Sequence, residues 1–277
     1  MRKYNIAIIG NGRAGGAFSE ALKAVGHVVY GPYTRGFSKQ QDFIDCLSHV
    51  EVVIVATNDS NIKVVASELF FALTKSSLDS NIEPNLLVVH LSGAKSLEDL
   101  SIFSNKASMH PLAPLPNQIV GALRLRSNIT YAVTENEIVK DLVKSLNGKC
   151  VFVDDTKRAL YHTVASMASN FLVALMGEVS KLAEICDLSL DDFIQLSEFS
   201  IQDVKDFGIR AALTGPVVRN DIQTLNSHRV AVGKVGKEDL RFYDSGVKSI
   251  KSLVSMWSAE GLETSAKLQN LENMQCK

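Results

Sequence analysis

Asn5-Ile6-Ala7-Ile8-Ile9-Gly10-Asn11-Gly12-Arg13-Ala14-Gly15 is the stretch that decides the fold. Its first five residues are an apolar run ending in glycine, which reads as a buried strand. The next six are G-x-G-x-x-G, and residues 14–25 then carry small and apolar side chains at helical spacing. Strand, glycine turn and helix in that order form the phosphate-binding turn of a dinucleotide fold. Gly10 permits the tight turn, Gly12 lets the backbone approach a pyrophosphate, and Gly15 lets the helix pack against the strand. The pyrophosphate would rest on N–H groups at the helix N-terminus. Gly10, Asn11, Gly12, Arg13, Ala14 and Gly15 are therefore the first candidate cofactor contacts. The alternative is a domain that keeps this shape without a ligand.

Outward from that turn, further strands are expected at 27–30, 50–56 and 86–91, and near 106–109, 129–133 and 150–153, with helical patterns between several of them. Strands alternating with helices give parallel βαβ units, and continuously apolar strands suit a sheet covered on both faces. After Asp155 no strand pattern appears. Stretches 157–186, 190–206 and 237–272 are helix-compatible, with a break at Gly215-Pro216. The expected architecture is an α/β Rossmann domain over 1–155, doubly wound with a mostly parallel sheet, followed by an all-α domain over 156–277.

The 277 residues are 46% apolar, enough for a core in each half. Lys plus Arg number 29 and Asp plus Glu 30, a net charge of −1 that argues against a general polyanion binder but allows a local phosphate pocket. The opening apolar run is broken at Gly10 and Asn11, too early for a signal peptide, and no later apolar stretch reads as long enough to span a membrane. The expectation is a cytoplasmic protein without nucleic-acid or membrane partners. Cys46, Cys150, Cys186 and Cys276 show no metal-ligand spacing to one another or to a histidine, so they are read as free thiols and no metal site is expected.

The second strand distinguishes NAD from NADP. An acidic residue about 20 positions after the glycines usually bonds the ribose hydroxyls of NAD. Here Tyr30-Gly31-Pro32-Tyr33-Thr34-Arg35-Gly36-Phe37-Ser38 has no acid and offers Thr34, Arg35 and Ser38, which suit the 2′-phosphate of NADP(H); Arg35 as a solvated loop charge is the other reading.

Ligands of open α/β sheets bind outside the carboxyl ends of the strands. Ala56-Thr57-Asn58 and Leu91-Ser92-Gly93-Ala94 follow two strands and should line the nicotinamide end. His110, held before Pro111 at a third strand end, is either a substrate-side group or a buried histidine satisfied by backbone, while His90 inside a strand reads as structural. On the helix from Thr156, Leu160, Val164, Met167 and Phe171 form an apolar stripe taken as core. His162, Ser166 and Asn170 fall at i, i+4 and i+8, a polar row facing either a cleft or a domain interface. Lys157 lies on another face. In Leu213-Thr214-Gly215-Pro216-Val217-Val218-Arg219-Asn220-Asp221, a helix starting near Pro216 would aim N–H groups at an anion and Arg219 could bind a carboxylate; an ordinary turn is the alternative.

Taken together, the glycine turn, Leu91-Ser92-Gly93, Met109-His110-Pro111, Tyr161-His162 with Ser169-Asn170, and Leu213-Thr214-Gly215-Pro216 with Arg219 and Asp221 resemble one family. It comprises Rossmann-like oxidoreductases, related to 6-phosphogluconate dehydrogenase, with an all-helical C-terminal domain long labelled as of unknown function. Some members are alternative ketopantoate reductases. The resemblance implies an NADPH-dependent reductase of a small 2-oxo acid, specifically 2-dehydropantoate to pantoate, and a homodimer formed through the helical domain. His162 is the first candidate general acid, since histidine as a residue type ordinarily titrates near neutrality. Asn170 would orient the substrate, with Lys157 as reserve donor, while Ser92, His110, Ser166, Thr214, Arg219 and Asn220 would contact it. The chain departs from the family at Asn220, where glycine is common, and at Tyr161, where related dehydrogenases place an asparagine four residues after the lysine. Reduction of a C=N bond, as in pyrroline-5-carboxylate reductases, and a non-catalytic NADP(H)-binding regulator are the alternatives.

Overall fold

The structure, a computed structural model, describes residues 2–75 and 86–275, with side chains through Ser258. It contains two compact units, Met1–Leu172 and Val173–Lys277.

The first unit opens with β1 (Asn5–Ile9), α1 (Arg13–Ala24) and β2 (Val28–Tyr33), followed by α2 (Gln41–Cys46), β3 (Val52–Val55), α3 (Ile62–Lys75) and β4 (Leu87–His90). It continues with β5 (Lys106–Pro111), α4 (Gln118–Leu125), β6 (Thr130–Val133), α5 (Glu137–Ser145), β7 (Lys149–Phe152) and α6 (Arg158–Ser166). The seven strands form one sheet in the order β2-β1-β3-β4-β5-β6-β7. Pairing is parallel from β2 to β5, antiparallel between β5 and β6, and parallel again between β6 and β7. This is the expected α/β Rossmann architecture with a mostly parallel sheet.

The apolar strands are explained by the two cores. Along β1, Ile6 and Ile8 join Phe18, Leu22, Ile54 and Val89 on one face, while Ala7 and Ile9 join Phe43, Val53, Val55 and Leu69 on the other. Both faces are covered by helices, so no position in β3 or β4 is exposed. Each large side chain fully buried in this way contributes roughly 1.5–3 kcal/mol.

The sheet ends at Phe152, close to the expected domain boundary, yet the first compact unit runs on to Leu172. Arg158, at the start of α6, is fully buried and ties that helix to the sheet through Ser92, just after β4, and Ser108 of β5. A further difference concerns apolar length. Helix is continuous over Asp155–Glu184, and its most apolar 18-residue window has a mean hydropathy of 1.3, long and apolar enough to cross a membrane by length and composition. This corrects the expectation that no apolar stretch is long enough; His162, Ser166, Ser169 and Asn170 interrupt the apolar residues and mask the length of the run.

The second unit is helical: α7 (Leu172–Glu184), α8 (Asp191–Ala212), α9 (Ile222–Val235) and α10 (Lys237–Gln275). A backbone break at Gly208 (φ 79°, ψ 165°) interrupts α8. Lys181 of α7 pairs with Asp239 of α10, and Arg229 of α9 pairs with Asp244 of α10 at 2.8 Å. Cys46, Cys150 and Cys186 are free, whereas Cys276 lies outside the described residues.

Candidate functional site

The parallel strands bring their carboxyl ends to one edge, and β1 and β3 flank the point where the strand order reverses. Outside this switch point, ligands of such folds bind. A pocket of about 460 Å³ opens there, lined by Gly10, Asn11 and Gly12, by Thr34 and Arg35 after β2, and by Ala56, Thr57 and Asn58 after β3. Eight of the expected cofactor contacts therefore meet in one place. Arg13, Ala14 and Gly15 form the first turn of α1.

The three fingerprint glycines differ in what they do. A methyl group on Gly15 would lie 1.8 Å from the Gly10 carbonyl oxygen, and one on Gly10 would lie 2.3 Å from the Ala56 oxygen. Gly10 also has φ +117°, a region that favours glycine. These two are demanded by the packing of strand against helix. At Gly12 the same methyl meets nothing within 4 Å. Gly12 is also the N-cap of α1 and supplies no side-chain cap, so the helix N-terminus faces open space. A cradle whose middle glycine, Gly12, the fold itself does not require, at an uncapped helix start, fits a dinucleotide's phosphates.

The pocket also takes in Tyr33, Phe37, Asn61, Val64, Val65 and Glu68, which the sequence reading did not single out. Val64, Val65 and Glu68 come from α3, and only the folded βαβ unit brings that helix against the loop after β2. Glu68 accepts a hydrogen bond from the Ser38 hydroxyl at 2.5 Å.

Along the same edge, after β4 and β5, a second cluster forms. The His110 Nδ1 and Tyr161 hydroxyl lie 2.7 Å apart, and the His110 and His162 rings meet edge to face at 5.5 Å. Both rings close over Gly93: a methyl there would lie 2.5 Å from His162 Nδ1 and 3.0 Å from His110 Nε2. The buried His162 Nδ1 has no hydrogen-bond partner. Burial, then the neighbouring His162 and Arg158, push the His110 pKa down to about 4. Burial raises the Tyr161 hydroxyl to about 12. His90, fully buried in β4 with neither ring nitrogen bonded, is likewise held down to about 4 by burial and by Arg158.

Arg158 organises this cluster, and sequence reading missed it. Its guanidinium donates to the Ser108 hydroxyl and to the Ser92 carbonyl at 3.4 Å, and its Nε lies 3.2 Å from the Asp155 carboxylate. Asp155 in turn accepts from the Leu97 N–H at 2.9 and 3.1 Å. The Ser92 hydroxyl accepts from the Ala94 and Lys95 N–H groups at 3.2 and 3.0 Å, fixing the turn that carries Gly93.

Other expected residues are placed differently. The helical row of His162, Ser166 and Asn170 is interrupted, because Met167–Phe171 is a π-helical turn. A π turn takes in an extra residue, so the i, i+4 phase is lost beyond Ser166. Asn170 is exposed, 3.4 Å from the Ser169 hydroxyl, and Ser166 is half-buried. The stripe Leu160, Val164, Met167 and Phe171, taken as core, is more than half exposed at every position. Lys157 is exposed and lines a separate hollow with Phe152, Leu160 and Val164.

In the helical unit no helix starts at Pro216. Residues 216–220 form a turn, in which the Asp221, Asn220 and Arg219 N–H groups donate to the carbonyls of Pro216, Val217 and Gly215. The next helix begins at Ile222, capped by the Asp221 carboxylate on the Thr224 N–H at 3.0 Å. The expected anion site at a Pro216 helix start is therefore not formed as a helix N-terminus. Thr214, Arg219 and Asn220 stay exposed around this turn.

Fold and pocket together define a two-part chain with a nucleotide-type Rossmann unit and a helical unit. By sequence, residues 129–250 match a family model described as a domain of unknown function, DUF2520. No curated protein matches the chain. Among solved structures, the chain is similar to a Bacteroides fragilis protein described as an NADP oxidoreductase (TM-score 0.70, 17% identity, covering 90% of this chain and 98% of that one). It is similar to protein TM1727 from Thermotoga maritima (TM-score 0.65, 25% identity, 91% and 99% covered). A third similar structure is the pyrroline carboxylate reductase of Plasmodium falciparum with NADP bound (TM-score 0.56, 11% identity, 92% and 99% covered). The fold is thus shared with reductases over nearly the whole length of each chain.

Proposed function

We propose that the protein is an NADP(H)-dependent oxidoreductase that reduces a small 2-oxo acid, with 2-dehydropantoate as the specific substrate. The observation that carries this reading is the open phosphate cradle at Gly12, beside Arg35, on the same sheet edge as the His110–His162 pair. Gly10, Asn11 and Gly12 with the α1 N-terminus would hold the pyrophosphate, Thr34 and Arg35 the 2′-phosphate, and Ala56, Thr57 and Asn58 the ribose side. The bound cofactor supplies the hydride.

The chain's own task is then to hold the substrate and move a proton. Negative charge grows on the carbonyl oxygen as the ketone is reduced, and it needs a donor. With a pKa of about 4, His110 is neutral near pH 7 and is not the acid. In the tautomer whose Nδ1 accepts from the Tyr161 hydroxyl, His110 keeps Nε2–H as a hydrogen-bond donor. His162, next to it, is assigned the proton. Ser92, Ser166 and Asn170 are assigned to orienting the substrate, and Lys157 is the reserve donor. Arg219 with Thr214 and Asn220 offers a fork for the carboxylate.

Reduction of a C=N bond is the second reading, favoured by the likeness to pyrroline carboxylate reductase. The helical unit is proposed to pair with a second copy of the chain, since Leu196, Phe199 and Phe207 of α8 are about two-thirds exposed. Loss of NADPH absorbance with 2-dehydropantoate, set beside other 2-oxo acids and cyclic imines, tests the substrate. NADPH-selective turnover of 2-dehydropantoate is expected. Turnover of imines alone would move the second reading to the front, and binding without any turnover would leave a regulatory protein.

A further inference from the structure

The β2 end carries no acid, which by itself favours a phosphate on the ribose. The folded pocket nevertheless contains one, delivered by α3: Glu68 lines the same cavity as Arg35 and Thr34. Its carboxylate is held by the Ser38 hydroxyl at 2.5 Å, and Ser38 follows the Arg35 loop directly. We propose that Glu68 sets how strongly this pocket prefers a ribose 2′-phosphate over a 2′-hydroxyl, acting against Arg35 and making the preference modest. The inference rests on the dinucleotide reading given above.

The argument is one of charge in a small space. A cavity of about 460 Å³ is about 10 Å across if taken as a sphere, close to the ~8 Å screening length at physiological salt. A phosphate dianion held near its centre, about 5 Å from the walls, therefore lies within that length of both the Arg35 cation and the Glu68 anion. A neutral ribose hydroxyl feels neither charge strongly, and it can donate to a carboxylate. The two side chains thus oppose each other for NADPH, while Glu68 favours NADH or is indifferent to it. Ser38 donates its proton to Glu68, so that hydroxyl is not free to donate to a phosphate as well.

Direct binding of NADPH and NADH to the full-length protein, followed by fluorescence or calorimetry without substrate, tests this. In Glu68→Gln, which can still accept from Ser38, NADPH should bind about 5- to 10-fold more tightly and NADH no more tightly than before. Arg35→Ala should shift the ratio the other way. Equal changes for both dinucleotides in Glu68→Gln, or none, would overturn the role of Glu68 while leaving the dinucleotide reading intact. A wild-type protein that binds neither dinucleotide would overturn both. Unchanged melting of Glu68→Gln shows that the comparison is made on a folded chain.

Discussion

The glycine pocket and the histidine cluster stand on one edge of one sheet, but they are built by opposite means. The pocket is made of backbone: a turn, an uncapped helix start and strand ends, with an open space where Gly12 has no side chain. The cluster is made of side chains from three distant segments, Gly93, His110 and residues 158–162, fastened by a buried guanidinium. A backbone site tolerates most changes around it but none of volume at its glycines. A side-chain site depends on every partner that holds its groups apart or together.

The largest effect should come from the fastener. Arg158→Leu leaves Asp155, the Ser92 carbonyl and the Ser108 hydroxyl without their partner and should cost about 3–5 kcal/mol in denaturant unfolding. It should also raise the His110 pKa, visible by NMR titration, because a repelling cation is removed. A variant as stable as wild type would mean that the cluster does not depend on Arg158.

The glycines give a sharper contrast. Gly15→Ala drives a methyl into the Gly10 carbonyl and should destabilise the chain by about 1–3 kcal/mol or more. Gly12→Ala meets no atom, so its melting should change by no more than about 1 kcal/mol, while NADPH binding weakens tenfold or more. Equal stability losses at the two positions would remove the distinction between packing glycine and ligand glycine.

Acid should act on the cluster and not on the pocket. His90 and His110 hold pKa values of about 4, against 6.5 when unfolded. Between those values the unfolded chain binds more protons than the folded one. The stability these two groups contribute is therefore complete above pH 6.5 and is lost as the pH falls toward 4. Urea midpoints measured from pH 7 to pH 4.5 should fall, and His90→Phe should flatten that slope; a level profile would contradict the buried neutral histidines. The smallest effect belongs to the helical unit: Asp221→Ala removes the cap on Thr224 and should cost about 0.5–2 kcal/mol.

What could be read before folding follows the same division. G-x-G-x-x-G after an apolar strand specifies a local backbone path, so the turn, the sheet and eight pocket residues were legible from residue order. Arg35 was legible because it follows β2 directly. Arg158 was not, since the sheet-side partners that bury it, Ser108 and Ser92, lie 50 and 66 positions away. Glu68 was hidden because it stands on α3, far in sequence from the end of β2. The row through Asn170 failed because a regular wheel does not foresee the π turn at Met167–Phe171.

The most direct test of the division between a binding half and a chemical half is a paired measurement on His162→Ala. NADPH affinity and single-turnover reduction of the best substrate would be followed on the same preparation, with melting as the control. Unchanged affinity with reduction slowed about 10²–10⁴-fold is the expected result. Full reduction, or affinity lost along with it in a folded protein, would contradict the assignment of proton transfer to the histidine cluster.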